Sequence, residues 1–201
     1  VYLTNSGISY VHRAYQYEEN HDTVNSRVSD INKVVGEHVY RLDLRLEGMN
    51  ANAKHIGKRS NDFYTNYFLS HSPQGIYNVK EYSEVEYEEV WKNINWKVYN
   101  TSGGMKHEFI LEEGAQLKDV KLRIDGAKNI SLSKGGLKIE TPYGVIEEKN
   151  LYCYVISAKG ERQQVKAKYV LIDDLVTFDV DWNGKGTLVI DPHLVWGTYY
   201  T

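Results

Sequence analysis

Cysteine is nearly absent from this sequence. Cys153 stands alone among 201 residues, so no internal disulfide can brace the fold. Stability must come from a buried core, which a chain of this length can build. A single cysteine does not argue against export, because a domain of this size folds without disulfides. The thiol lies in Tyr152-Cys153-Tyr154-Val155-Ile156 and is expected to be a buried structural group on a strand. Proline is also scarce. Pro73, Pro142 and Pro192 all fall at the boundaries of apolar runs. No apolar run approaches the roughly 20 residues of a membrane-spanning helix, and no leader-like segment is seen. A basic excess is missing too: 24 Lys and Arg stand against 27 Asp and Glu, for a net charge of -3. Nucleic-acid modules carry a basic surplus or stripe, so neither nucleic acid nor membrane insertion is expected.

The usual marks of catalysis are lacking as well. There is no Gly-x-Ser-x-Gly elbow and no activating context around Ser70-His71-Ser72 or Cys153. His12, His21, His38, His55, His71, His107 and His193 are scattered, without the convergent spacing that zinc requires. Ser102-Gly103-Gly104 and Gly135-Gly136 read as hairpin turns rather than phosphate loops. No cofactor is expected. Asp179-Val180-Asp181-Trp182-Asn183-Gly184 resembles the start of a calcium loop, with Asp179, Asp181 and Asn183 as weak metal candidates. The match fails where a bidentate carboxylate is needed, because Ile190 stands there. The preferred reading is a strand, a type I′ Asn183-Gly184 hairpin turn, and a second strand.

What is abundant is tyrosine: 17 Tyr and 4 Trp against 4 Phe. Tyrosine suits a pleated surface with one wet face. The dominant pattern is alternation at period two. Tyr40, Leu42, Leu44 and Leu46 share one face, with Arg41, Asp43 and Arg45 opposite. Val120, Leu122 and Ile124 repeat it, as do Leu137 and Ile139, and then Val165, Ala167, Tyr169 and Leu171. Val176, Phe178, Val180 and Trp182 follow, then Leu188 and Ile190. Leu44, Leu122, Phe178 and Ile190 are the expected core. Glu81, Glu84, Glu86, Glu88 and Glu89 read as a solvated edge that discourages aggregation.

The predicted class is all-β, an antiparallel sandwich-like domain over residues 1–191. Two packed subdomains divided near residues 70–80 also fit the length. At most one short helix is expected, from the helical spacing of Val24, Val28, Ile31 and Val35, capped by Asp22 or Thr23 and stopped by Gly36. Met49 to Ser60 is expected to be a loop. Val1 to Gly7 already reads as strand and turn, so the chain is expected to begin inside a fold, as a processed or trimmed fragment would. Residues 192–201 are expected to be a linker or the start of a following domain.

Several stretches from about Arg41 onward carry a family resemblance. They include Tyr40-Arg41-Leu42-Asp43-Leu44, Asn66-Tyr67-Phe68-Leu69, Val85-Glu86-Tyr87-Glu88-Glu89-Val90-Trp91 and Met105-Lys106-His107-Glu108-Phe109. Thr141-Pro142-Tyr143-Gly144-Val145 and Leu188-Val189-Ile190-Asp191-Pro192 complete the series. In this order they resemble a bacterial family of unknown function, found N-terminal to SBBP or propeller-type repeats in secreted or surface proteins of Bacteroidetes-like bacteria. The chain departs from that pattern at Glu113-Gly114-Ala115-Gln116, where the family has Pro-Gly-Ala-Asp. The resemblance implies a secreted or cell-surface location and downstream repeats of the same parent chain as partner. It supplies no catalytic residue and no ligand.

Three functional expectations follow. The first is a non-enzymatic structural or interaction module of a larger exported protein. The second is a carbohydrate-binding module, in which exposed Tyr82, Tyr87, Trp91, Trp96 and Tyr99 would stack on sugar faces, with a polysaccharide or cell-surface component as partner. The third is a hydrolase with a distributed site. Ring exposure discriminates between the first two.

Overall fold

The computed structural model describes residues 1–17, 34–102, 104–133, 136–148, 151–192 and 194–197. In chain order the strands are β1 (Tyr2–Thr4), β2 (Gly7–Tyr17), β3 (Val34–Leu46), β4 (Lys54–Leu69), β5 (Ser72–Trp91), β6 (Ile94–Thr101), β7 (Gly104–Leu111), β8 (Leu122–Asp125) and β9 (Asn129–Ser133). They continue as β10 (Gly136–Thr141), β11 (Gly144–Glu148), β12 (Tyr152–Ile156), β13 (Arg162–Val165), β14 (Ala167–Ile172), β15 (Leu175–Val180), β16 (Thr187–Asp191) and β17 (Leu194–Gly197). Leu117–Asp119 forms a single 3-10 turn, the only helical element among the described residues.

Three antiparallel sheets result. A six-stranded sheet runs β1-β2-β3-β8-β15-β14, a seven-stranded sheet runs β13-β12-β16-β7-β6-β5-β4, and a four-stranded sheet runs β17-β11-β10-β9. The fold is all-β, with the two large sheets packed as a sandwich. Period-two alternation places the apolar side chains between them. Leu42, Leu44 and Leu46 of β3 are buried, as are Ile94, Trp96 and Val98 of β6 and Val176, Phe178 and Val180 of β15. On the outer face of β3, Arg41 pairs with Asp43 and Arg45 with Asp125. Phe109 of β7 meets Phe178 of β15 across the interior, with ring centroids 6.1 Å apart. Nearly all the buried apolar residues form a single cluster, and Leu44, Leu122, Phe178 and Ile190 belong to it. Leu122 is fully buried beside Val176 on β15 and Leu46 on β3. Leu122→Ala is therefore expected to cost about 2–5 kcal/mol in a denaturant titration, and a cost near zero would mean that the sheets do not close over it.

Several local expectations are corrected. Asn183-Gly184 does not make a hairpin, because β15 and β16 are not paired with each other. β15 pairs with β14 and β8, while β16 pairs with β12 and β7. Residues 181–186 instead carry the chain from one large sheet to the other. Asn183 Oδ1 accepts the Lys185 N–H at 3.1 Å, and Gly184 and Gly186 take positive φ of 81° and 69°. The same turn chemistry thus serves a passage between layers. The run Val165 to Leu171 is divided at Lys166, since β13 lies in the seven-stranded sheet and β14 in the six-stranded one.

The expected loop at Met49 to Ser60 ends early, as β4 begins at Lys54. The glutamate-rich segment is not an edge. β5 lies between β4 and β6, and its carboxylates meet cations: Glu86 pairs with Lys58, and Glu84 with Arg59 at 3.6 Å. The region near 70–80 is the turn and returning strand of the β4–β5 hairpin. The predicted helix lies mostly outside the described residues, while Val35 and Gly36 stand in β3. Beyond Pro192, β17 adds to the four-stranded sheet by pairing with β11.

Candidate functional site

Most of the five rings predicted as a sugar platform are spent on the fold. Trp96 is completely buried and Tyr87 and Trp91 nearly so. Tyr87 donates its hydroxyl hydrogen to the Thr4 carbonyl at 3.0 Å, and Trp91 Nε1 donates to the Glu47 carbonyl at 3.3 Å. These bonds tie the seven-stranded sheet to β1 and to the turn that follows β3. Tyr99 is half-buried, donates its hydroxyl to Glu108 and carries the Lys97 ammonium 4.9 Å from its ring centroid. Tyr82 is exposed, yet its ring lies directly over Gly57, where a Cβ would come within 2.6 Å of it. No shared open face remains. The physical reason is alternation: on β6, Trp96 falls on the same face as Ile94 and Val98, and that face is the core.

The weak metal candidates also diverge. Asp179 pairs with Lys168 at 3.0 Å, and Asn183 uses its side-chain oxygen in its own turn. Among the described residues no group of three or more His, Cys, Asp or Glu is arranged to hold a metal ion. The Cys153 thiol is buried, which pushes its pKa up to about 12 and leaves it a poor nucleophile.

A polar cluster is enclosed where the three sheets meet. It combines His107 of β7, Glu148 of β11, Tyr169 of β14 and Tyr10 of β2. Trp96 Nε1 donates to His107 Nδ1 at 3.2 Å. The acceptor role fixes the tautomer, so the proton sits on Nε2. That nitrogen lies 4.0 Å from Glu148 Oε1 and has no hydrogen-bond partner among the described residues. Burial lowers the His107 pKa to about 4 and raises that of Glu148 to about 7. The Tyr169 hydroxyl lies beside Glu148 without a well-formed hydrogen bond, and its pKa is pushed upward by burial first and by Glu148 second. Perturbed groups of this kind often mark catalytic sites. Here both His107 and Glu148 are sealed from solvent, so their ionisation is coupled to the stability of the fold.

The surface feature that stands out is the β4–β5 hairpin. β4 has 16 residues and β5 has 20, and at about 3.3 Å per residue the shorter strand alone spans roughly 50 Å. Only its base joins the sandwich, for no residue from 54 through 83 is buried. The outer part is a two-stranded ribbon wet on both faces, a form that is marginal in isolation. Register shifts fall between Ser60 and Tyr64 and again near Tyr67. Phe63 is 76% exposed and Phe68 72%. Tyr64, Tyr67, Ile76 and Tyr77 are exposed with them, and Phe68 packs edge-on against Tyr77 at 5.6 Å. Apolar groups concentrated on one projecting element mark an interaction surface. These residues were not singled out as a site from the sequence. The signal lay in Phe63-Tyr64 and Tyr67-Phe68: adjacent rings on a strand point to opposite faces, so one sheet interface cannot bury both.

The fold and surface define an all-β, sandwich-like domain with a projecting apolar arm. At the level of family, the chain belongs to the DUF7948 domains, described as a domain of unknown function, whose family model matches residues 1–193. No curated protein and no solved structure matches the chain. Among the described residues, no helix is long and apolar enough to cross a membrane.

Proposed function

We propose that this domain is a non-enzymatic structural and interaction module of a larger exported bacterial surface protein. In this reading the β4–β5 arm holds an adjoining part of the parent chain, such as downstream repeats. The observation that carries the proposal is the arm itself: a long ribbon lacking its own core and bearing Phe63 and Phe68 almost bare. An enzyme needs its reactive groups open to substrate. Here His107 and Glu148, whose pKa values are shifted by burial, are enclosed, and of the rings offered for sugar stacking Tyr87, Trp91 and Trp96 serve the core. Burying the arm against a partner would remove two large aromatic side chains from water, each worth about 1.5–3 kcal/mol.

The double variant Phe63→Ser/Phe68→Ser tests this directly. Its thermal midpoint should match that of the parent domain, because neither ring contributes to the core. Binding to the remainder of the parent chain, supplied in trans and followed by calorimetry, should weaken at least tenfold. Undiminished binding would remove the arm from the interface. Hydrolysis of a polysaccharide panel by the purified domain would overturn the non-enzymatic reading.

A further inference from the structure

A second surface lies at the other end of the seven-stranded sheet, away from the arm strand β4. There the edge strand β13 and the passage 181–186 bound a groove of about 850 Å³, within the size range of small-molecule and oligomer sites. Its apolar floor comes from Val155, Val165 and Trp182, all partly buried against the core. Its walls carry planar polar groups, notably Gln163, Gln164, Asp181 and Glu113.

Both walls are held in place. Trp182 Nε1 donates to the Lys185 carbonyl at 3.0 Å, which fixes the indole within its own loop. The Asp181 N–H donates to the Lys166 carbonyl at 2.9 Å, pinning the passage to the corner between β13 and β14. Opposite, Thr187 Oγ1 donates to Glu112 Oε2 at 2.7 Å. Gly186 makes the close approach possible. Its φ is 69°, and a Cβ there would lie 2.6 Å from the Ile156 carbonyl oxygen. By contrast, the side chains of Gln163 and Asp181 show no hydrogen bond or ion pair within the described residues and remain open to a ligand.

We infer that this groove binds a neutral oligosaccharide, with Trp182 as the apolar surface and Gln163 and Asp181 as the hydroxyl-binding groups. Charge argues for the neutral class. Glu112, Glu113 and Asp181 stand against Lys166 and Lys185 around the same groove. Three carboxylates disfavour a phosphate or an acidic sugar, and two ammonium groups disfavour a cation. Amides and carboxylates beside a fixed aromatic ring suit a ligand with apolar ring faces and many hydroxyls, because each hydroxyl both donates and accepts. The inference goes beyond the module reading above and does not rest on it, since arm and groove lie at opposite edges of one sheet.

The test is calorimetric titration of the folded domain with soluble gluco-, xylo- and manno-oligosaccharides, with a polyuronate as the acidic comparison. Binding of at least one neutral series is expected. Gln163→Ala/Asp181→Ala, which alters only exposed side chains, should reduce affinity at least tenfold with an unchanged thermal midpoint. Trp182→Ala should abolish binding, and the double variant keeps the test decisive if loss of that ring disturbs the fold. Phe63→Ser/Phe68→Ser on the arm should bind sugar like the parent. No binding in any neutral series at millimolar ligand would overturn the inference. So would equal affinity in the Gln163/Asp181 variant or preference for the polyuronate.

Discussion

Trp96→Ala is expected to destabilise the domain more than any other single ring deletion. Trp96 is completely buried on β6, stacked on Phe109 at 6.4 Å and tilted against Tyr87 at 4.8 Å. Removing a buried tryptophan side chain leaves a cavity and costs about 3–5 kcal/mol. The change also strips His107 Nδ1 of its donor, and an unsatisfied buried polar atom adds about 1–3 kcal/mol. Small domains are stable by only about 5–15 kcal/mol, so much of the folding free energy would be lost. A urea titration checks this through a lower midpoint at unchanged slope. Trp96→Phe should be milder, since it keeps most of the ring but not the N–H. A midpoint for Trp96→Ala equal to that of the parent would mean that the ring lies outside the core.

Glu148→Gln is expected to act in the opposite direction, increasingly as pH rises from 4.5 through about 7. Unfolded, this carboxyl titrates near 4.5, whereas burial raises it to about 7 in the fold. Between those values the folded state holds a proton that the unfolded state has released. The stability from Glu148 is therefore complete below pH 4.5 and lost as pH rises through 7. Each tenfold change in proton affinity is worth about 1.4 kcal/mol, so the loss is on the order of 3 kcal/mol. His107 runs the other way. Its pKa falls from 6.5 to about 4, so acid protonates the unfolded chain first, and stability is lost as pH drops from 6.5 through 4. The two slopes oppose each other between pH 4.5 and 6.5, which leaves a plateau with a decline on either side. Glutamine keeps the shape without the charge. The variant should melt higher than the parent at pH 8 and close to it at pH 5. Equal changes in midpoint at both pH values would mean that Glu148 does not bury its charge.

Much of the fold was legible because alternation is a direct consequence of the pleat. The runs around Leu44, Leu122, Phe178 and Ile190 marked one face each, and those faces meet in the core. Pairing between distant strands was not legible. Nothing local to Asn183-Gly184 distinguishes a hairpin from a passage between sheets, because both need positive φ and a side-chain-capped turn. The same limit explains the misplaced sugar platform. Trp91 and Trp96 sit among glutamates and lysines in sequence, yet the register of β5 and β6 turns the rings inward and the charges outward. The arm escaped notice because its aromatic density reads like core wherever a second sheet is assumed to cover it.

The strand order also dictates when this protein can fold as it is made. β3 finds its second neighbour only in β8, and the sheet then needs β15 and β14, so residues 47–121 lie in the chain between its two halves. In the other large sheet, β7 waits for β16. A ribosome delivering this sequence from its first residue therefore releases hairpins that cannot close a core until nearly all of it has emerged. Long-range antiparallel pairing of this kind folds in milliseconds to seconds. During that interval the aromatic ribbon is already present and unprotected, the stage at which such chains depend on chaperones.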